Sequence, residues 1–318
     1  MACPGEGILS SANRLGFNMG ELLNRPCPIC QTTQQDVFLV KGDLQLRRCA
    51  RCAMIYADPV PAEIGNGDFY NRLGNEYLTP EKLESDYAEV RFERELRLFR
   101  TYCKAGSVLD VGCSSGAFLY QLRKRYGNDY EVCGTDVSGA PLDYAAKNGV
   151  PVIRQDFLTH QFKNPFDAIT FWAVMEHLFE PQSFLRKAAS ILKPGGLCFV
   201  LVPNMRSLAV RLLGVKYRYI YSEHLNYFNP EVLKKFMAAE FTVLGLQSTH
   251  FNPIVIWKDF RGGAREISRA ERSQLLKRTT AYKQSPWLTP IKYCYRATEK
   301  FLSGMMMADN LAIVGRKE

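Results

Sequence analysis

Val108-Leu109-Asp110-Val111-Gly112-Cys113-Ser114-Ser115-Gly116 is the stretch on which the reading of this chain turns. An apolar strand runs into Gly112, which permits a tight turn, and Gly116 lets a helix begin close to that strand. Backbone N–H groups at such a helix start favour an anionic or electron-rich group. Twenty residues after Gly116 comes Asp136, at the tip of the next apolar run. A carboxylate there can accept two hydrogen bonds from a ribose diol, as any adenosine-containing ligand requires.

Outward from the loop, strands and helices alternate. Strands are expected at 107–111, 130–135, 152–153, 167–172, 197–202 and 241–249, with a last one at 311–315. Helices are expected at 115–126, 139–148, 181–192 and 230–239, and another from Thr79-Pro80-Glu81 to about Cys103. Such alternation predicts an α/β protein whose parallel sheet is covered on both faces. Dinucleotide sites want G-x-G-x-x-G, whereas here Gly112 and Gly116 stand four apart with Ser114 between them. S-adenosylmethionine (SAM), with an amino-acid head and no pyrophosphate, suits this loop better. Asp110 can meet a ligand ammonium or order the loop.

In these residues the chain resembles the class I SAM-dependent methyltransferases, and among them the group that includes the ubiquinone-biosynthesis O-methyltransferases. The resemblance spans roughly 81–249 plus the final strand. It rests on the 110–116 loop, Asp136, Gln155-Asp156-Phe157, Phe166-Asp167-Ala168-Ile169, Met175-Glu176-His177-Leu178 and Leu192-Lys193-Pro194-Gly195-Gly196. It implies a Rossmann-like seven-stranded sheet, six strands parallel and the last antiparallel. It also implies roles. Asp110 and Gly112 would lie beside the methionine part of SAM, Cys113 and Gly116 would belong to the same cofactor loop, and Asp136 would hold the ribose hydroxyls. Val137 would pack by the adenine, Asp156 would accept from its amino group and Phe157 would lie along its ring. Trp172 would stand near the methionine head. The family usually has glycine where this chain has Ser114.

Ten cysteines without a secretory signal do not suggest disulfides. Cys27-x-x-Cys30 and Cys49-x-x-Cys52 put two thiolate pairs on two knuckles, the closed four-thiolate set that structural zinc (Zn2+) prefers. A segment this short needs such a metal to stabilise it. The run from Arg48 to Pro59, followed by Phe69-Tyr70 and Glu76-Tyr77, resembles the zinc-ribbon front end of many bacterial methyltransferases of this group. The expected organisation is a module at 1–58, a Pro/Gly/Asn-rich linker at 59–80 and a catalytic domain at 81–318, with a basic helical insertion at 251–306.

Methyl transfer to a hydroxyl needs a proton acceptor. His224, in Tyr221-Ser222-Glu223-His224, is the first candidate, with His177 and its neighbour Glu176 next; His160 and His250 are expected at the surface. Tyr217, Tyr219 and Tyr221 would put three rings on one face if extended.

The net charge of +9 is concentrated late in the chain. Residues 1–104 hold 13 Lys/Arg against 14 Asp/Glu, residues 251–300 hold 11 against 4. A helix at 290–302, capped by Thr289, would place Lys292, Arg296 and Lys300 in one row, either packed on its own domain or resting on a membrane or a lipid-linked substrate. No apolar run of 18 residues and no signal-peptide pattern is present, so a cytoplasmic protein is expected. The expected partner is a small-molecule acceptor such as a sugar or quinone precursor. Nucleic acid is not expected, because the cysteine region is near neutral and no Asn-Pro-Pro-Tyr-type motif follows the fourth strand. RNA methylation and a silent SAM-binding scaffold are the alternatives.

Overall fold

A computed structural model describes residues 21–65, 67–72, 74–262, 269–284 and 289–318. The first twenty residues of the expected module and parts of the insertion lie outside that set. So do the side chains of Thr289, Pro290, Ile291 and Lys292, on which part of the expected basic row rested.

The main sheet is built from β6 (Gly106–Val111), β7 (Tyr130–Thr135), β8 (Val152–Ile153), β9 (Phe166–Trp172), β10 (Leu192–Pro203), β12 (Thr242–Thr249) and β13 (Asn310–Arg316). Their spatial order is β12-β13-β10-β9-β6-β7-β8, with β13 antiparallel to both neighbours and the other pairings parallel. This is the expected α/β sheet. Adjacent residues explain why it is covered twice. Val108, Ala168 and Phe199 enter one core, while their neighbours Leu109, Ile169 and Val200 enter the other. Strands buried on both faces read as continuous apolar runs. The chain leaves β6 towards β7 on one side and later returns to β9 on the other. A crevice therefore opens at the carboxyl ends of β6 and β9.

The small sheet contains β2 (Gln35–Lys41), β3 (Leu44–Cys49) and β4 (Ile55–Ala57). Its fourth strand is β11 (Asn226–Tyr227), which comes from the catalytic part and pairs antiparallel with β4. The four-cysteine segment and the catalytic part thus share a sheet.

Three expectations are corrected. Residues 59–80, read as a linker, carry regular structure. β5 (Val60–Pro61) pairs with β1 (Leu22–Leu23), and helices α1 (Ala62–Gly65) and α2 (Asp68–Arg72) follow. Val60, Ile64 and Phe69 anchor this strap in a core, apolar residues that the surrounding Pro, Gly and Asn obscured.

The helix expected from Thr79 to Cys103 is two helices, α3 (Pro80–Asp86) and α4 (Glu93–Tyr102). Thr79 does cap the first, its Oγ1 accepting from Lys82 N at 3.3 Å. Between them, backbone carbonyls turn to side chains of α5 (Ala117–Tyr126): Gln121 donates to Ala88 O at 2.6 Å and Arg125 to Glu89 O. The break lets the Tyr87 hydroxyl reach Ser115 O at 2.6 Å, beside the glycine loop.

His250 is not a free surface residue. Its Nε2 lies 2.8 Å from Oε1 of the buried Glu95, tying β12 to α4. Burial pushes the Glu95 carboxyl up, but its pairing and hydrogen bond with His250 outweigh that and hold it down to about 2. That stabilisation is complete above the usual glutamate range, near pH 4.5, and is lost as pH falls towards 2. Removing one partner of a buried pair strands the other, so Glu95→Ala should cost about 3–5 kcal/mol at neutral pH, read from the denaturant midpoint.

In the insertion, α10 (Pro253–Gly262), α11 (Arg269–Gln284) and α12 (Thr289–Gly304) precede β13. α12 packs on its own domain: Leu302 is buried, Tyr295 donates to Phe251 O at 2.6 Å, and Glu299 pairs with Arg94. α11 lies against α3 through Thr79 to Ser273 at 3.1 Å and Lys277 to Glu84 at 2.7 Å. Among the described residues no helix is long and apolar enough to cross a membrane.

Candidate active site

Gly112 ends β6 with φ 73°, and a Cβ there would come 2.5 Å from Val174 Cγ2, so only glycine fits. The N–H groups of Gly112 and Cys113 both donate to Thr135 O, at 2.7 and 3.0 Å, fastening the turn to β7. Ser114 follows with φ 50°, in the left-handed region that costs a side chain about 1–2 kcal/mol. Here Asp136 offsets the cost, because its Oδ2 accepts from Ser114 N at 2.8 Å. Its Oδ1 accepts from Ser138 N at 2.9 Å. Burial raises the Asp136 carboxyl above its ordinary range, and these N–H groups oppose that rise.

A cavity of ≈ 680 Å³ opens beside this loop. One end is walled by Gly112, Ser114, Asp136, Val137, Ser138, Asp156 and Phe157. Val137 is half-exposed towards it, and the buried Ser138 Oγ has no hydrogen-bond partner. Asp156 also caps the following turn, accepting from Thr159 N at 3.0 Å. Phe157 doubles as core, stacked on Phe184 at 5.4 Å.

Four residues expected around the cofactor do not line this cavity. Asp110 is buried beneath the loop and accepts from the Thr170 hydroxyl at 2.6 Å. Burial, with the Asp136 charge adding to it, pushes its carboxyl up to about 7 despite that hydrogen bond. Gly116 starts α5 at φ 73°, and a Cβ there would lie 2.8 Å from Ala145 Cβ. Cys113 packs against Gly134 of β7. Trp172 is a correction of direction. Alternation along β9 sends Phe171 towards Phe157 and Trp172 to the opposite face, against Phe118 at 5.2 Å and Phe199 at 6.2 Å. Conversely, Ser114, Ser138, Val174, Lys82 and Arg91 line the cavity without having been singled out for it.

The other end of the cavity is walled by Tyr70, His177, Tyr219, Tyr221, Glu223 and Arg272. The three expected proton-handling residues, Glu176, His177 and His224, do come together. One donor atom from each lies within 4.8 Å of the others, a spacing suited to sharing a proton or holding a cation. His177 Nδ1 is 2.8 Å from Glu223 O. A carbonyl can only accept, so Nδ1 carries the proton and Nε2 keeps the lone pair. His224 stands behind, its ring 4.8 Å from that of His177 and its buried Nδ1 without a partner. Burial lowers both imidazoles, His224 well below 6.5. Burial also pushes Glu176, whose Oε2 has no partner, up to about 8. All three are therefore held towards their neutral forms.

The tyrosines do not form an extended wall of three rings. The stretch turns, so Tyr217 packs into a core, while Tyr219 and Tyr221 reach the cavity. Arg272 of α11 lies over the Tyr221 ring at 4.0 Å. Its role had no signal beyond the local basic excess. Tyr70 had one, the Phe69-Tyr70 pair, and its hydroxyl lies 3.1 Å from His177 Nδ1.

In the small sheet, Cys27, Cys30, Cys49 and Cys52 converge, with sulfurs 3.4 Å apart for Cys27 and Cys52 and 3.5 Å for Cys30 and Cys49. A tetrahedral zinc with Zn–S bonds of about 2.3 Å spaces its sulfurs about 3.8 Å apart. The donor set fits. Burial pushes the Cys27 and Cys52 thiols up, whereas at Cys49 the backbone N–H groups of Cys52 and Arg51 outweigh the burial penalty and bring its thiol down, so the four share out their ionisation as one cluster.

A family described as a methyltransferase domain matches residues 83–244. The ubiquinone biosynthesis O-methyltransferase of Serratia proteamaculans is 30% identical over 196 residues, covering 54% of this chain and 79% of that protein. The Caulobacter vibrioides protein of the same description is 29% identical over 185 residues, 53% of this chain and 72% of that one. A solved SAM-dependent methyltransferase of Thermotoga maritima, described as a possible histamine N-methyltransferase, aligns with a TM-score of 0.50 at 19% identity, covering 78% of this chain and 98% of that one. This last likeness is one of fold.

Proposed function

Because the chain belongs to the SAM-dependent methyltransferases, we propose that its acceptor is a small molecule, a sugar, quinone precursor or other metabolite, methylated at a hydroxyl. The observation that carries this is a cavity with the Asp136 carboxylate at one end and the His177 imidazole, its pKa lowered by burial, at the other. Its volume is that of a small-ligand site, not of a groove for a polymer. Bound SAM supplies a sulfonium methyl group for in-line displacement. Asp136 holds the ribose hydroxyls, Asp156 the adenine amino group, and Val137 and Phe157 the faces of the ring. Gly112 and Ser114 shape the methionine end. Asp110, Cys113, Gly116 and Trp172 act one layer back, fixing the loop and the strands that carry it.

In the acceptor half, His177 Nε2 takes the hydroxyl proton, and His224 and Glu176 orient it and share its charge. This reverses the order read from sequence, where His224 came first, because His177 lines the cavity and His224 stands behind it. Tyr70, Tyr219 and Tyr221 exclude water from the acceptor. The test is methyl uptake from labelled SAM into metabolite extracts and, separately, into total RNA, with mass spectrometry of the product. Label in a small metabolite supports the reading. Label in RNA with steeply salt-dependent binding moves it to nucleic acid, and SAM binding without any turnover moves it to a scaffold.

The four cysteines are proposed to hold one structural zinc ion, which would supply folding energy to the small sheet. Cys49→Ser should reduce bound zinc from about one equivalent to near zero, measured by elemental analysis, and expose β2–β4 to hydrogen exchange. Unchanged exchange in the metal-free variant would remove the metal from the account.

A further inference from the structure

We propose that Arg25 and Asn226 are a positioning pair through which the four-cysteine module fixes the two acceptor-side histidines. The inference rests on the reading above, in which His177 and His224 serve the acceptor. Arg25 lies two residues before Cys27 and is 4% exposed. Its backbone N donates to Asp58 Oδ1 at 2.9 Å, and its Nη2 donates to Asn226 Oδ1 at 2.7 Å. Tyr56 and Phe179 flank the guanidinium, 5.6 and 5.0 Å from it, and its buried Nε and Nη1 have no partner. Among the described residues its one side-chain hydrogen bond thus goes to Asn226.

Asn226, 1% exposed, stands two residues after His224. Its Nδ2 donates to Met175 O at 2.8 Å and to Leu178 O at 2.7 Å, clasping both ends of the Glu176-His177 turn. Its own N–H and that of Leu225 both donate to Glu176 O, at 2.9 and 2.7 Å. One side chain therefore joins the two segments that carry the histidines. Arg25, which can only donate, settles which way the amide faces: Oδ1 to the guanidinium, Nδ2 to the carbonyls. The module adds two further holds on the same loop. Ala57 N donates to Leu225 O at 2.9 Å, and Lys41 Nζ donates to Tyr217 O and Ile220 O at 3.1 and 2.7 Å. Among the described residues, the hydrogen bonds that set Gly112, Ser114 and Asp136 come from within 112–138 and not from the module.

The experiment uses the full zinc-loaded chain saturated with S-adenosylhomocysteine, and needs no acceptor. With four histidines in the sequence, imidazole resonances of isotope-labelled protein are assignable by single substitutions. Arg25→Met and Asn226→Leu should each move the His177 and His224 resonances and leave those of His160 and His250 in place. Amide exchange at Leu225 and Asn226 should rise about tenfold or more, as expected for losing a buried charge-assisted hydrogen bond. The double variant should go no further than either single one, because the two groups act as a unit, and Arg25→Lys should restore part of the wild-type spectrum. Affinity for S-adenosylhomocysteine should stay within about twofold, given that the donor half is built separately.

Unmoved His177 and His224 signals, additive effects, or equal shifts at all four histidines would overturn the proposal. Should Arg25→Met lose zinc or fail to fold, Asn226→Leu, outside the cysteine segment and checked for zinc content, decides alone. Failure of the SAM reading is separately visible, as absent binding of S-adenosylhomocysteine to the wild-type chain.

Discussion

Replacing Asp136 by alanine is expected to weaken SAM binding by about two orders of magnitude or more while the fold survives. A hydrogen bond to a charged group contributes about 1.5–3 kcal/mol, and a ribose diol offers two. Each Asp136 oxygen already accepts one backbone N–H, from Ser114 or Ser138, and a carboxylate oxygen has room for a second. The substitution also frees Ser114, whose φ of 50° is held by that carboxylate, so the loop loosens at the moment it should receive the ligand. Calorimetry of SAM binding measures the first effect, and thermal melting without ligand separates out the second. Burial raises the carboxyl above its ordinary range, and only its ionised form accepts two hydrogen bonds. SAM affinity should therefore hold at neutral pH and decline as the solution is acidified. An affinity within about threefold of wild type, roughly 0.65 kcal/mol, would be too small for a two-bond contact and would sink the ribose assignment.

Most of the main sheet was legible because its signal is local. Runs such as Val108-Leu109 and Phe199-Val200 are apolar on both faces, and the glycines at 112 and 116 mark where strand yields to helix. At one end of the cavity, Asp136 was reached by counting from the loop and Asp156 came with the family resemblance; both line the cavity. What sequence could not show is direction and long-range contact. Trp172 was placed by the family resemblance, and the pleat turns it away from the cavity, since a single step along a strand exchanges one face for the other. The strap at 59–80 hid its anchors, Val60, Ile64 and Phe69, among residues typical of turns. The break between α3 and α4 depends on Gln121 and Arg125, more than thirty residues away. Nothing within 1–58 signals that β4 pairs with Asn226–Tyr227, since a two-residue strand has no period to detect.

The last expectation concerns the proton. His177→Ala should lower turnover by about 10²–10⁴-fold, the usual contribution of a positioned general base, with SAM affinity unchanged. His224→Ala should lower it less, because that ring supports His177 from behind and does not line the cavity. The pH profile gives a second handle. Burial lowers both imidazoles below 6.5, so the neutral base persists at moderately acid pH and the acid limb of kcat/KM should fall below 6.5. Stability follows the same sign: the unfolded chain binds protons first as pH drops past 6.5, and the fold weakens from there downwards. Glu176 works in the opposite direction. Its folded carboxyl, pushed up to about 8, keeps a proton that the unfolded chain has released above 4.5. The stability it contributes is full below 4.5 and is lost as pH rises through 8. Its ionisation beside two imidazoles should also strengthen them as bases, placing an inflection in the rate near pH 8. Glu176→Gln should erase that inflection and make the protein less sensitive to alkaline pH. If the inflection stays in place, the proton-sharing group is not this one. If His177→Ala also retains full turnover, the acceptor loses its proton to another residue of the cavity or directly to water.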